Sequence, residues 1–259
     1  MAKKIAILNF KGGVGKTTTT VNLGAALGIL KKKVLIVDLD SQANTSYLIG
    51  FDEGDGATIY DSIKVEELQP LTIYDTEMKN VDLVPSDRRL GRADELLVTR
   101  IGRETIIKDL VSQVEGKYDY ILFDCPPNRG MITINAMCAV DSIIIPVDSQ
   151  LLALQGLGEI QRDFGVVKSK LNPGVEIEGY LLTKFKSNIR VYRDVANALR
   201  ENFPDKVFNA KIRDNIKLTE TPAARKSIFQ YNPTCAGAED YMQLAREITG
   251  IKKKSISTK

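Results

Sequence analysis

Short apolar runs rich in β-branched residues alternate along this chain with longer stretches whose apolar positions recur at helical spacing. The runs predict strands over residues 4–9, 33–38, 81–85, 118–124, 142–147, 175–182 and 207–212. The periodic stretches predict helices over 16–30, 88–114, 131–140, 151–171, 191–202 and 237–249. Alternation of this kind specifies a mainly parallel sheet flanked by helices on both faces. Residues 34–37 and 143–146 are apolar at every position, as strands covered on both sides require. Residues 51–56, Phe-Asp-Glu-Gly-Asp-Gly, have the composition of a surface loop. There is no internal repeat and no dividing linker, so one domain is expected over 1–250, followed by a basic tail at 251–259. In such sheets ligands gather at the carboxyl ends of the strands. Lys11, Asp38, Asp40, Asp124 and Asp148 should therefore meet on one rim.

Composition narrows the chemistry. The chain has 259 residues, 43% of them hydrophobic, a size at which roughly three-quarters of the unfolded surface can be buried. Its three cysteines, Cys125, Cys138 and Cys235, contain no C-x-x-C pair, which argues against a disulfide framework or a zinc site and fits a reducing compartment. The absence of histidine removes Ser-His-Asp and Cys-His catalysis and histidine-held metals. What remains is carboxylates, lysines, hydroxyls, backbone amides and a bound ion. Residues 5–8 are too short for the apolar core of a leader, about 7–15 residues. No run approaches the ~18 apolar residues of a spanning helix. A soluble, cytoplasmic protein is expected.

The net charge of +3 hides an asymmetry. Residues 51–80 carry eight acids against two lysines, and residues 184–226 carry eleven bases against five acids, with four more lysines in the tail. The basic half is either a face for a polyanion or an ordinary solvated surface.

The expected first strand runs into Lys11-Gly12-Gly13-Val14-Gly15-Lys16-Thr17-Thr18 and then a helix. A strand, a glycine-rich turn and a helix N-terminus form a phosphate-binding P-loop, in which converging amides and the helix dipole hold the anion. Lys16 is placed for the β and γ phosphates, the Thr17 hydroxyl for Mg²⁺ and Thr18 for the α phosphate. ATP with Mg²⁺ is the expected ligand. The apolar strand ending at Asp124, before Cys125-Pro126-Pro127, has the arrangement of a second magnesium-binding acid, acting through the ion's water shell.

The loop departs from the common G-x-x-x-x-G-K-[ST] pattern: Phe10 stands where glycine is usual, and Lys11 is an extra lysine. In this form it resembles the deviant Walker A motif of the ParA/MinD superfamily. The resemblance implies that Lys11 crosses a nucleotide-sandwich homodimer to reach the partner's phosphates. Residues 37–44, Val-Asp-Leu-Asp-Ser-Gln-Ala-Asn, resemble the family's first switch, D-x-D-P-Q-G-N, with Ser41 and Ala43 replacing proline and glycine. By that resemblance Asp40 orients the attacking water and Asp38 lies near the metal. Asp124 to Pro127 is similar to the family's D-C-P-P, whereas Asn128-Arg129-Gly130 departs from Ser-Leu-Gly, with Arg129 expected as a solvated surface side chain. Residues 83–86, 153–157, 181–185 and 207–222 also look like landmarks of short ParA proteins without an N-terminal DNA-binding extension.

In ParA proteins the ATP dimer binds DNA non-specifically through basic residues of the C-terminal half, and a ParB-like partner stimulates slow hydrolysis. Carried over to this chain, the contacts are Arg190, Arg193, Lys211, Arg213, Lys217, Arg225 and Lys226, with Asp214 replacing a family arginine. Asn215 is implied on the adenine side. The resemblance thus implies a segregation ATPase in the cytoplasm, associated with the nucleoid, acting on a plasmid, chromosome or other cargo, with no membrane contact. A MinD-like membrane ATPase would need bulky apolar residues beside the terminal lysines, but only Ile251 and Ile256 are apolar beyond Gly250. An iron–sulfur carrier would have to use Cys125 and Cys138.

Overall fold

Strand β1 (Lys3–Ile7) sends Ile5 and Ile7 to one face and Ala6 to the other, and all three are fully buried, so helices must cover both faces. Every residue of β2 (Val34–Asp38) and β6 (Ser142–Asp148) is likewise buried. The computed structural model describes residues 1–65, 67–148 and 156–252. Within them β3 (Tyr74–Asp75), β4 (Val81–Val84), β5 (Tyr120–Asp124), β7 (Glu176–Phe185) and β8 (Val207–Arg213) complete an eight-stranded sheet. Its order is β3-β4-β2-β5-β1-β6-β7-β8. Among the described residues every pairing is parallel except that of β3 with β4.

One face, with Ile5, Ile7, Ile36 and Leu122, is covered by α1 (Lys16–Ile29), α2 (Asn44–Ile49), α10 (Ile228–Tyr231) and α11 (Ala236–Thr249). The other, with Ala6, Leu35, Val37 and Phe123, is covered by α3 (Ile59–Ile63), α4 (Ala93–Leu97), α5 (Ile106–Ser112), α6 (Met131–Ala139), α7 (Leu157–Lys170) and α8 (Arg190–Asn202). Helix α1 lies so close to the turn before β4 that a Cβ on Gly28 would stand 2.1 Å from the Lys79 carbonyl. The strands added early in the chain lie on one side of β1 and β6–β8 on the other, which places a topological switch point beside the loop that follows β1.

Seven expected strands are present, with ends shifted by at most three residues. The expected helix over 88–114 is not continuous. It breaks into a 3₁₀ turn (Arg88–Arg92), α4, a loop and α5. Gly102 sits at φ 71 in the loop, and Asn135 of α6 clamps it by donating to the Arg103 carbonyl and accepting from the Ile107 amide. The expected helix over 151–171 is seen from Leu157; residues 151–155, part of the landmark at 153–157, lie outside the described residues. So do Lys253, Lys254, Ile256 and Lys259 of the tail. Helix α9 (Ile216–Ala224), like α2, α3 and α10, was not anticipated. It contains Pro222, and the Leu218 carbonyl takes a bond from the Thr221 hydroxyl instead of the missing proline N–H.

Candidate nucleotide site and basic surface

The loop from β1 to α1 is shaped by glycine: Gly13 and Gly15 lie at φ 74 and 89, where a side chain is strained. Nothing stands within 4 Å of a Cβ built on Gly12 or Gly13, so the turn is an open cradle. Buried Val14 anchors it, because its carbonyl accepts from the Thr183 hydroxyl at the end of β7, at 2.9 Å. The first amides of α1 have no helical partner and point where an anion would sit. Lys16 is buried, with Nζ 3.4 Å from the Lys11 carbonyl. Burial lowers its pKa against the opposing pull of Asp124. Lys11 is exposed, its amide donating to the Asn9 side chain at 2.9 Å.

Around this loop lies a cavity of about 520 Å³, within the usual range for small-molecule sites. Gly12, Gly13, Gly15, Lys16, Thr17 and Thr18 form one wall, with Asp40, Gln42 and Asn44 beside them. The far wall comes from Arg213, Asp214, Asn215 and α9. Asn215 caps α9, accepting from the Lys217 amide at 2.8 Å. The glycine loop and Asn215 thus line the same cavity.

Asp38 and Asp124 end adjacent strands in register. Asp124 accepts the Thr17 and Thr45 hydroxyls, each at 2.7 Å, on one oxygen, and the Thr20 hydroxyl at 3.4 Å on the other. Burial raises its pKa, while the Thr17 and Thr45 hydroxyls and Lys16 pull it down. A hydroxyl and a buried carboxylate in contact beside a phosphate cradle are hard oxygen donors suited to Mg²⁺. Asp38, expected near the metal, stands beside Asp124 at the end of β2. It is fully buried, and its oxygens accept from the Asp40 amide at 3.0 Å, the Ser46 amide at 2.9 Å and the Ser46 hydroxyl at 2.7 Å. Burial, then the nearby Asp124, push its pKa up, and these hydrogen bonds oppose the rise. Asp40 lines the cavity, with one oxygen taking the Gln42 amide at 2.9 Å.

Sequence reasoning missed Thr45, Ser46, Thr183 and Lys184. The first three are hydroxyl residues whose roles come from tertiary contacts with Asp124, Asp38 and the loop. Lys184 lines the cavity at φ 51, with Nζ 3.7 Å from the buried carboxylate of Asp148.

The seven basic residues expected to touch DNA differ in how far their charges are already paired. Arg190 and Arg193 are exposed on the first turn of α8, with Arg190 3.6 Å from Asp194. Lys211 lies 4.5 Å over the Phe185 ring, which meets Tyr192 of α8 edge-on, so these three share one end of the sheet edge. Lys226 is exposed after α9. Three others are held by acids. Arg213 forks onto Asp240, with its shortest contact at 2.7 Å, and reaches Glu239. Lys217 pairs with Glu220 at 2.9 Å. Arg225 donates to the Tyr47 carbonyl and to Asp52 at 2.9 Å, tying α9 to α2. Arg129 is no freely solvated side chain: it forks onto Asp163 of α7 at 2.6 and 2.7 Å and lies over the Phe10 ring. Cys125 and Cys138 are buried, which pushes both thiols up and away from the thiolate that an iron–sulfur cluster needs. No helix among the described residues is long and apolar enough to cross a membrane.

A family model described as an AAA domain matches residues 2–177. The sporulation initiation inhibitor protein Soj of Bacillus subtilis is 40% identical over 249 residues, covering 96% of this chain and 98% of that one. The chromosome partitioning protein ParA of Myxococcus xanthus is 36% identical over 245 residues, 94% of this chain and 87% of the relative. Among solved structures, cobyrinic acid a,c-diamide synthase from Mycobacterium smegmatis, with bound ADP and magnesium, superposes with a TM-score of 0.83 at 27% identity and covers 98% of each chain.

Proposed function

The chain belongs to the Soj/ParA family of P-loop ATPases, and from that premise we propose that it is a magnesium-dependent, ATP-driven dimer that binds DNA non-specifically and positions a plasmid, chromosome or other cargo. The observation that carries this reading is the convergence on one cavity of the glycine cradle, Lys16, Asp40 and Thr17, whose hydroxyl is bonded to the buried Asp124. In the proposed cycle the amides of residues 12–18 and Lys16 grip the phosphates of ATP. Lys11, exposed at the mouth, reaches across to the partner's nucleotide and favours the doubly loaded dimer. Thr17 and Asp124 would hold Mg²⁺, which when bound would supply positive charge to the phosphate oxygens in phosphoryl transfer. Asp40 orients the attacking water, and Asn215 lies beside the base.

Dimerisation doubles the basic surface, so nucleotide state becomes DNA affinity through avidity. Arg190, Arg193, Lys211 and Lys226 are the best-placed contacts on the proposed DNA face. A ParB-like protein on the cargo accelerates a slow hydrolysis and releases the dimer from the nucleoid. Residues 1–250 act as one unit in the cytoplasm, with residues 251–259 as a basic appendage. Helix α11 supports this reading over membrane targeting, because Tyr241, Leu244 and Ala245 are spent on the core against α1 and β8.

Light scattering on the Asp40→Ala protein tests the cycle. With ATP and Mg²⁺ it should run as a dimer that persists and retains DNA, and with ADP as a monomer. An Asp40→Ala protein that hydrolyses ATP at the normal rate, or stays monomeric with ATP, overturns it.

A further inference from the structure

We infer that Asp38 is a positioning residue that fixes Asp40 and the first turn of α2, and is not a ligand of the metal. Three observations carry it. The carboxylate is fully buried at the end of β2 and, unlike that of Asp124, takes no bond from the cavity-lining Thr17 hydroxyl. Its oxygens accept three donors, all from the segment that bears Asp40: the Asp40 amide, the Ser46 amide and the Ser46 hydroxyl. The Ser46 hydroxyl in turn accepts from the Ser86 amide at 2.9 Å, which ties this pin to the end of β4.

Between its two anchors the chain must turn sharply. Leu39 donates to the Asp124 carbonyl, Ala43 sits at φ 51 and donates to the Asp40 carbonyl, and the Gln42 amide holds one Asp40 oxygen. Without Asp38 the Asp40 amide loses its acceptor, and the Leu39 bond to the Asp124 carbonyl is left to hold the start of the turn. A shift of about 1 Å in a water-orienting group lowers a rate by as much as about a hundredfold. In the proposed site the magnesium ligands are Thr17 and Asp124, which touch each other. The inference rests on the assignment of Asp40 to the attacking water, and its test is arranged to separate the two.

The test is Asp38→Asn in the full chain, with Ser46→Ala as an independent variant that leaves the carboxylate intact. Asparagine offers one oxygen, so one set of donors must face an NH₂ group. Hydrogen exchange at residues 39–46 should quicken about tenfold or more in Asp38→Asn and to a lesser degree in Ser46→Ala. The kcat should fall about ten- to a hundredfold, while KM for ATP stays within about twofold. The Mg²⁺ concentration that half-saturates binding of a fluorescent ADP analogue should also stay within about twofold. A rise of tenfold or more in that concentration, with exchange unchanged, makes Asp38 a ligand and overturns the inference; so does an unchanged kcat. If Asp38→Asn does not fold, Ser46→Ala decides: quickened exchange with reduced kcat supports the pin, and neither change refutes it. An Asp40→Ala control that hydrolyses normally removes the role of Asp40, whereas the exchange measurement still reports on Asp38 alone.

Discussion

Replacing Arg213 with alanine separates a structural role from a DNA contact. The Arg213 side chain is half exposed, but its partner Asp240 is only 7% exposed. Asp240 accepts Arg213 Nε at 2.9 Å and Nη2 at 2.7 Å and also takes the Arg213 backbone amide at 2.8 Å. The backbone bond survives in the alanine variant, and water can reach the vacated guanidinium position. The loss is therefore that of charge-assisted bonds at a half-wet site, about 2 kcal/mol rather than the larger penalty of a fully buried broken pair. For a chain of this length that amounts to a fall of ~4–8 °C in Tm. Because β8 and α11 meet through this pair, the loss should appear in thermal unfolding without nucleotide or DNA. Residual DNA affinity with ATP should change by less than about threefold once temperature is kept well below the transition. Replacing Asp240 by alanine together with Arg213 should lower Tm further, since it also removes the acceptor of the Arg213 backbone amide, but by less than the sum of the two single losses. An Arg213→Ala protein with unchanged Tm and abolished DNA binding would refute the reasoning and return Arg213 to the DNA face.

Other expectations follow from the same geometry. Lys16→Ala should lose nucleotide binding in a fluorescent ADP titration, whereas Lys11→Ala should bind nucleotide but fail to dimerise with ATP in light scattering. Thr183→Val removes the bond to the Val14 carbonyl, and its ATP affinity, read by calorimetry, should fall about three- to tenfold at near-normal Tm, since one buried hydrogen bond contributes about 1 kcal/mol. For Asp87, burial alone would raise the pKa, but the Arg89 fork, the Thr58 hydroxyl and the Arg89 amide outweigh it and hold the carboxyl below its usual range. A depressed carboxylate stabilises the fold above the ordinary value of about 3.9 and loses that contribution as pH falls through the lower folded value. Arg89→Ala should therefore unfold a few degrees below the parent at pH 7, with the gap narrowing as pH falls below the ordinary carboxylate range; a gap that widens on acidification contradicts the assignment.

The centre of this molecule was legible because its strands are buried on both faces and appear as unbroken apolar runs, as at residues 34–37 of β2. The cradle was legible because positive-φ turns admit few residues besides glycine, as at Gly13 and Gly15. Helices α2, α3 and α10 escaped because four to six residues are too few for a 3.6-residue period to emerge. The break within 88–114 escaped because Asn135, distant in sequence, makes it. The basic stretch was visible as charge, but its neutralisation was not. Arg213 meets Asp240 at a separation of 27 residues, and Arg225 meets Asp52 at 173. Pairings at that range are set by the fold, so a count of lysines and arginines overstated the free charge near α9.

The central claim is that bound ATP, and not ADP, turns this chain into a DNA-binding dimer. Fluorescence anisotropy on a labelled duplex of arbitrary sequence, with ATP, ADP or no nucleotide at two salt concentrations, tests it most directly. The account predicts binding with ATP and Mg²⁺ that weakens steeply with salt, by a log–log slope of about −0.9 for each phosphate neutralised. It predicts little binding with ADP, and none with ATP in Lys11→Ala. Equal affinity in all three nucleotide states, or no binding in any, would contradict it.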